Sequence, residues 1–229
     1  MPPRALFFDA GNTLVFANLA QTLAPLMALG LEPTEEQLHA AERAAKKRLD
    51  ASRAAAPEDR SVDKQFWTIY YIQLLQELGK TDETLCAALA HATRQSAHWN
   101  RVLLGTPAVL ERLKQKYRLG VISNSDGRMA DLLHGVGLGR FFDSFTDSGV
   151  VGYEKPDVRI FQAALHSLGA QPQESLYVGD VYSVDYLGAK GAGMEAILMD
   201  VAGTYRGTGL PRVASLAELE TRLAQANPY

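Results

Sequence analysis

The sequence predicts an α/β fold, a doubly wound parallel sheet with a helical bundle inserted after its first strand. Two observations lead to this prediction. From about residue 103 onward, short apolar runs alternate with helical patterns, which is typical of parallel strands joined by right-handed crossovers. Between residues 15 and 98 the periodicity is helical, and no strand pattern occurs. We therefore expect a core domain of residues 1–15 and 99–229 and a helical domain of residues 16–98.

The first strand is predicted from an apolar run, Ala5–Phe8, that ends on the carboxylate of Asp9. An apolar run without polar interruption is typical of a strand buried on both faces of a parallel sheet. Ligands of such sheets bind beyond the carboxyl ends of the strands. Asp9 is therefore a candidate nucleophile or ligand if other strands bring functional groups to the same edge. On its own, a strand followed by Asp favours a simple turn residue.

The inserted block is predicted to contain three helices. Thr34 and Gln37 form a capping box that opens a helix running to about residue 56. A second helix ends at Gly79, and a third covers about residues 82–96. The aromatic cluster in the second helix is predicted to be core rather than a substrate pocket; it consists of Trp67, Tyr70 and Tyr71. A charged stripe on the first helix is predicted to be a solvated face; it consists of Glu42, Arg43, Lys46 and Lys47.

The α/β pattern returns with Thr106 as a predicted N-cap and Pro107 as the first helical residue. Further strand segments of the alternation cover residues 119–125, which end in hydroxyl and amide groups, 141–145, 176–180, which end in an acid, and 194–199. Helical patterns cover about residues 128–135, 158–168 and 216–226. This alternation completes the predicted sheet.

Composition excludes several classes of protein. Lys and Arg number 23 against 26 Asp and Glu, a net charge of -3, which does not favour binding to nucleic acid or to an acidic membrane surface. The single cysteine, Cys86, permits no intrachain disulfide and is predicted to be a buried packing residue in a reducing compartment. The sequence shows no pattern of a signal peptide or membrane span, so we expect a cytoplasmic protein. A monomer or weak dimer is expected separately.

Functional groups follow three separate strands of the predicted sheet: Asp9, Ser123 and Asp180. Lys155, followed by Pro156, lies between the second and the third. Each alone fits a turn residue, a solvated charge or a helix cap, but the ordered set indicates one site. Carboxylates suit Mg2+, a hydroxyl suits phosphate, and a lysine can neutralise the charge of a transferring phosphoryl group. A carboxylate that attacks phosphorus forms an aspartyl-phosphate.

These segments resemble the four ordered motifs of the haloacid dehalogenase (HAD) superfamily. The matching segments are residues 9–14, Ser123-Asn124, Lys155-Pro156 and 179–185. The helical block looks like the cap that subfamily I inserts after the first strand of a Rossmann-like core. Residues 123–126 and 179–185 are most similar to members of the rhythmically-expressed-gene-2 type.

The resemblance implies a role for each residue. Asp9 is implied to be the nucleophile and a Mg2+ ligand, with the carbonyl of Gly11 as a second ligand. Asp180 is implied to bind Mg2+ directly, and Asp185 to assist through water or by fixing Lys155. The implied contacts of the phosphate are the following: Thr13, which holds the first loop or touches the transferring group, Ser123, Asn124, and Lys155, which also orients Asp9.

The chain departs from the family pattern two residues after the nucleophile. Superfamily phosphatases usually carry an aspartate there as general acid and base, whereas this chain has Gly11, followed by Asn12 in place of the usual glycine. General acid–base catalysis contributes roughly 100- to 10,000-fold. We therefore expect a Mg2+-dependent phosphatase of a small phosphorylated metabolite that handles alkyl phosphates poorly, handles acyl and aryl phosphates better, and accumulates its phosphorylated Asp9. A residue of the cap is another possible source of the acid.

Three alternatives stay open from the sequence. One is a catalytically weak relative that binds a phosphorylated ligand or a partner. Another is dehalogenase-like chemistry, which also lacks the aspartate but uses no Mg2+. The third resembles phosphonoacetaldehyde hydrolase, which uses a cap lysine as a Schiff base; the cap lysines here are predicted to be surface charges, and they are Lys46, Lys47 and Lys64.

Overall fold

The computed structural model describes residues 3–56 and 61–226. Contacts divide the chain into two compact units. The α/β unit comprises Met1–Phe16, Asn100–Val201 and Gly207–Tyr229, and the helical unit comprises Ala17–Trp99 and Ala202–Arg206. The sequence prediction had placed residues 202–206 in the core, whereas here they pack within the helical unit. The ends of the predicted core, residues 1–2 and 227–229, lie outside the described residues, and the functional division into core and cap stays a prediction.

The sheet has six parallel strands in the order β3-β2-β1-β4-β5-β6, which confirms the predicted doubly wound α/β fold. The strands are β1 (Ala5–Phe8), β2 (Arg118–Ser123), β3 (Ser144–Asp147), β4 (Ser175–Gly179), β5 (Glu195–Met199) and β6 (Arg212–Val213).

The helices are α1 (Leu19–Thr22), α2 (Ala24–Met27), α3 (Glu35–Ala55), α4 (Ser61–Glu77), α5 (Glu83–Thr93), α6 (Thr106–Lys114), α7 (Met129–Gly135), α8 (Ser148–Val151), α9 (Val158–Leu168), α10 (Leu187–Gly191) and α11 (Leu216–Ala226). Among the described residues, no helix is both long and apolar enough to cross a membrane.

Strand β1 is apolar throughout because both of its faces are covered. All four of its residues are fully buried. Phe7 packs in a cluster with Phe161 of α9 and Tyr177 of β4, and Phe8 meets the edge of Phe142 at 6.1 Å. Gly120 of β2 gives Phe7 room, since a Cβ there would lie 2.7 Å from the Phe7 ring. Two-sided burial explains why the strand has no polar alternation.

Some predicted boundaries were wrong. Thr106 is the first residue of α6 rather than its N-cap, because Gly105, at φ 87°, occupies the cap position. Strand β3 begins at Ser144, since residues Gly139–Phe141 form a 3-10 turn, and β2 ends at Ser123. Strand β6 was not predicted, because two residues carry no periodic pattern.

The helical unit has its own core. The capping box of α3 is confirmed, with Thr34 N donating to Gln37 Oε1 at 2.8 Å and Gln37 N donating to Thr34 Oγ1 at 3.3 Å. Tyr71 and Cys86 are buried in a cluster of apolar side chains, and Trp67 and Tyr70 pack against it. The prediction that the aromatic cluster is core is therefore confirmed.

The charged stripe of α3 is only partly a solvated face. Lys47 is exposed, but Lys46 is 1% exposed and its ammonium donates to Glu42 Oε1 at 2.6 Å. Arg43 donates to the carbonyl of Ala202 at 3.1 Å. The prediction was therefore wrong for Lys46, because helical spacing alone does not reveal which charged positions a neighbouring segment covers.

Candidate active site

The candidate nucleophile lies at the centre of the sheet edge. Strand β1 pairs with β2 on one side and with β4 on the other, in register at Phe8. Asp9 therefore follows its strand between Ser123, the last residue of β2, and Asp180, the residue after β4. The structure thus brings together the three strand ends that the sequence analysis singled out. Parallel pairing places their side chains at one edge.

Asp9 is almost completely buried, at 8% exposure. Its Oδ1 accepts a hydrogen bond from Lys155 Nζ at 2.6 Å. Within the described part of the chain, its Oδ2 accepts none. The pKa of Asp9 is raised to about 7, because burial and the neighbouring carboxylates of Asp185 and Asp180 raise it more than Lys155 lowers it. A bound cation would oppose this rise and keep the carboxylate ionised.

Lys155 joins the candidate nucleophile to Asp185. Its Nζ donates to Asp9 Oδ1 at 2.6 Å, to Asp185 Oδ1 at 2.7 Å and to Tyr177 Oη at 2.8 Å. Burial by itself lowers the pKa of Lys155, but the carboxylates of Asp185 and Asp9 outweigh it, so the net direction is upward. Lys155 is therefore a fixed cation beside the candidate nucleophile.

The backbone of Lys155 is held by Asn124. Lys155 N donates to Asn124 Oδ1 at 2.7 Å, and Asn124 Nδ2 donates to Lys155 O at 3.1 Å. These two bonds occupy the amide that the resemblance assigned to phosphate. Its role as a phosphate contact stays a prediction, and the observed geometry instead makes it a link between the loops after β2 and before α9.

Three buried carboxylates form a potential metal centre: Asp9, Asp180 and Asp185 each offer an oxygen, and these oxygens lie within 4.8 Å of one another. With Lys155 as the neighbouring cation, the ionised group carries a net charge of -2. Buried charge of this kind is costly unless it is balanced. An all-oxygen donor set with surplus negative charge fits Mg2+. The residues present therefore fit the implied cofactor.

The carboxylates differ in how they are engaged. Both oxygens of Asp185 have partners, since Oδ1 accepts from Lys155 and Tyr177, and Oδ2 accepts from Val181 N at 2.9 Å. Of the two roles implied for Asp185, these contacts favour fixing Lys155. Asp180 Oδ2 accepts from Asn12 Nδ2 at 3.3 Å.

The loop after Asp9 is a tight turn. Its positive φ, 52°, falls on Asn12 and not on Gly11. Asn12 N donates to Val15 O at 2.9 Å, and Leu14 N donates to Ala10 O at 2.9 Å. Thr13 is buried, and its hydroxyl has no hydrogen-bond partner among the described residues. Contact of Thr13 with a transferring group and of the Gly11 carbonyl with a metal stay predictions.

The loop after Ser123 is held by hydrogen bonds to the end of β3 and the residue after it. Asp147 accepts from Gly127 N at 3.0 Å and from Met129 N at 3.1 Å. Ser148 Oγ accepts from Ser125 N at 3.0 Å. This arrangement holds the predicted phosphate-binding loop in one conformation.

Sequence reasoning missed these supporting residues. Asp147 could have been found, because it too is an acid at the end of a strand. Tyr177 lies inside a strand of otherwise mostly apolar residues and gives no signal.

Comparison with known proteins places this geometry in context. The family model described as haloacid dehalogenase-like hydrolase matches residues 3–193. The chain is 33% identical over 207 residues to glyceraldehyde 3-phosphate phosphatase of Methanothermobacter thermautotrophicus. This match covers 86% of this chain and 85% of that protein. It is 35% identical over 140 residues to haloacid dehalogenase-like hydrolase domain-containing protein 3 of Bos taurus, covering 59% of this chain and 55% of that protein.

Solved structures show the same fold. The HAD-hydrolase YfnB of Bacillus subtilis, solved bound to magnesium, has a TM-score of 0.70 at 20% identity and covers 97% of this chain and 99% of its own. A HAD phosphatase of Thermococcus onnurineus has a TM-score of 0.59 at 24% identity, covering 96% and 97%. At these identities the likeness concerns the fold.

Proposed function

The chain belongs to the haloacid dehalogenase-like hydrolase family, and from this premise we propose that it is a Mg2+-dependent phosphatase of a small phosphorylated metabolite. One observation carries the proposal: a buried carboxylate, Asp9, has one oxygen held by Lys155 and the other without a protein partner among the described residues. Two further carboxylates stand beside it. A binding module has no need of such a carboxylate.

The proposed reaction has two steps. Asp9 Oδ2 attacks phosphorus and the bond from phosphorus to the leaving oxygen breaks, which yields an acyl phosphate on Asp9. Water then attacks that phosphorus, the bond to Asp9 breaks, and inorganic phosphate leaves. Lys155 holds Asp9 in place and balances charge on the phosphoryl oxygens, and Ser123 binds one of them. Asp9 and Asp180 would hold Mg2+, which would supply positive charge to the same oxygens.

The finer part of the proposal concerns the leaving group. Gly11 offers no proton to a departing alkoxide, so esters whose leaving group is stable as an anion should react faster than alkyl phosphates. The same lack of a base should slow hydrolysis of the phosphorylated Asp9. The relative from Methanothermobacter thermautotrophicus is named for glyceraldehyde 3-phosphate, an alkyl phosphate. This compound is therefore the informative member of a substrate set.

The test measures phosphate release from acetyl phosphate, p-nitrophenyl phosphate and glyceraldehyde 3-phosphate, with Mg2+ and with chelator. We expect the first two substrates to react and kcat/KM for glyceraldehyde 3-phosphate to be about 100-fold lower. Asp9→Asn or chelator should abolish phosphate release. The control is Asp131→Asn, an exposed position in α7, which should leave the rates unchanged. No release from any substrate by the folded protein contradicts the phosphatase. Equal kcat/KM without a trapped intermediate contradicts only the missing-acid argument.

A second candidate is a weak catalyst that binds a phosphorylated ligand or a partner, and Gly11 favours it. The variant Asp9→Asn separates the two, because it should leave a pure binding role largely intact.

A Schiff-base mechanism is less well supported. The ammonium of Lys46 is engaged in an ion pair with Glu42 at 2.6 Å. Lys47 is exposed, and the side chain of Lys64 lies outside the described residues.

The proposal extends to location and assembly. A single, buried Cys86 is consistent with a reducing compartment, which supports a cytoplasmic location. A state of monomer or weak dimer stays a prediction.

A further inference from the structure

The strongest unassigned polar group beside the candidate site is the hydroxyl of Tyr177. This residue lies inside β4, is fully buried, and belongs to an otherwise apolar cluster with Phe7 and Phe161. A phenylalanine would fill the same space without bringing a hydroxyl into an apolar layer. Burying a hydroxyl is unfavourable unless it is hydrogen-bonded. The contacts of this hydroxyl therefore indicate what it does.

The hydroxyl closes a triangle with the two charged groups next to the nucleophile. Tyr177 Oη accepts from Lys155 Nζ at 2.8 Å and donates to Asp185 Oδ1 at 2.9 Å. The carbonyl of Ile122, at 3.3 Å, is a longer alternative acceptor. A hydroxyl has one proton, and a charged acceptor at shorter distance takes it in preference. Tyr177 thus bridges the cation and the carboxylate.

Lys155 depends on this bridge because of its geometry. An ammonium has three donors, and here they point to Asp9, Asp185 and Tyr177. The lysine stem is flexible, so the position of its charge is set by its partners. The two carboxylates alone would let the ammonium rotate about the line that joins them. The hydroxyl of Tyr177 fixes the remaining direction and so sets the position of Lys155 Nζ.

The ring of Tyr177 is itself fixed. Phe161 meets it edge-on, with ring centroids 5.2 Å apart at 77°. Gly179 leaves it room, since a Cβ there would lie 2.8 Å from the ring and 2.5 Å from Asp185 Cγ. The hydroxyl is therefore presented to Lys155 from a rigid support.

We propose that Tyr177 is a positioning residue that sets the place of the Lys155 ammonium against Asp9 for the reaction. This rests on the proposed function, in which Lys155 holds Asp9 and balances phosphoryl charge. Misplacement of a reacting group by about 1 Å can cost 100-fold in rate. Loss of the hydroxyl should therefore lower kcat while leaving KM nearly unchanged, because Tyr177 does not touch the substrate.

The experiment compares Tyr177→Phe with Tyr117→Phe, a buried tyrosine of the α/β unit that precedes β2, at the end of that strand opposite to Ser123. With acetyl phosphate and Mg2+, we expect kcat of Tyr177→Phe to fall about 10- to 100-fold and KM to change less than about threefold. Tyr117→Phe should match the wild type. A crystal structure of Tyr177→Phe should show Lys155 Nζ displaced from Asp9. Phe161→Leu, which keeps the hydroxyl but loosens the ring, should give a smaller fall in kcat.

Two results would overturn the inference. One is a kcat of Tyr177→Phe within about twofold of that of Tyr117→Phe. The other is an unmoved Lys155 Nζ in the Tyr177→Phe structure. If the wild type releases no phosphate, the proposed function fails, but the crystal structure still decides whether Tyr177 positions Lys155.

Discussion

Restoring an acid at Gly11 is the sharpest test of the proposed chemistry. Gly11 lies two residues after the candidate nucleophile, and the positive φ of its loop falls on Asn12, so the backbone at Gly11 does not require glycine. Gly11 is partly exposed, so a carboxylate there need not be fully desolvated. Gly11→Asp should therefore fold and place an acid where phosphatases of the family carry one.

The expected gain follows from the step that the acid assists. General acid catalysis contributes roughly 100- to 10,000-fold, and partial exposure of Gly11 favours the lower end. We expect kcat/KM for glyceraldehyde 3-phosphate to rise about 100-fold, or about 2.7 kcal/mol of transition-state stabilisation. For acetyl phosphate, whose leaving group needs no proton, kcat/KM should change less than about threefold.

The assay separates the two steps of the reaction. The ratio kcat/KM reports events up to formation of the phosphorylated Asp9, and acid quench of the steady state reports how much of it accumulates. Gly11→Asp should raise kcat/KM for the alkyl ester and lower the amount of phosphorylated Asp9 for every substrate. Gly11→Asn is the matched control, since its amide has the same shape but no useful acidity. An unchanged kcat/KM for glyceraldehyde 3-phosphate in folded Gly11→Asp, or an equal gain in Gly11→Asn, would refute the reasoning.

Three further outcomes are expected. The first concerns pH: in the metal-free chain the pKa of Asp9 is about 7, above its ordinary value of 3.8. Between these two pH values the folded state binds more protons than the unfolded state. The free energy of unfolding therefore falls as pH rises from about 4 to about 7. Asp9→Asn removes this effect, so its Tm relative to wild type should increase from pH 5 to pH 8, and a pH-independent difference would contradict the shift. The second concerns Asn124: Asn124→Ala loses both bonds to the Lys155 backbone and should lower the free energy of unfolding by about 1–3 kcal/mol and also lower kcat. Asn124→Asp keeps only the acceptor, so its free energy of unfolding and its kcat should lie between those of wild type and Asn124→Ala. Urea unfolding and initial rates measure the two quantities. The third concerns the loop after Ser123: Gly149→Ala would place a Cβ 2.6 Å from Gly127 N, which should lower the free energy of unfolding by about 1–3 kcal/mol. The displaced loop should also weaken inhibition by inorganic phosphate. An unchanged inhibition constant would show that this loop does not bind phosphate.

Much of the fold was predictable because its signals are local. The apolar run before Asp9 and the helices Val158–Leu168 and Leu216–Ala226 appear where periodicity placed them. The short strand Arg212–Val213 did not, because two residues have no period. Convergence of Asp9, Ser123 and Asp180 at one edge followed from parallel pairing alone.

Contacts between distant segments were not predictable. Lys46 lies on a stripe that alternates like a solvated face, yet it is buried. Tyr205 of the segment 202–206 donates to Asp50 of α3 at 3.0 Å, across 155 residues of chain. No pattern within either segment marks the other as its partner.

The sequence by itself determined the alternation of the main strands and helices and the residue types that reach the sheet edge, because hydrophobic periodicity and strand polarity are properties of short segments. Only the tertiary structure decided how those residues are held. The amide of Asn124 bonds the Lys155 backbone 31 residues away, and the hydroxyl of Tyr177 reaches the Lys155 ammonium across 22 residues. Hydrogen bonds require donor–acceptor distances that are right to within a few tenths of an ångström, here between groups on different elements. Such distances exist only once the sheet and its loops have packed.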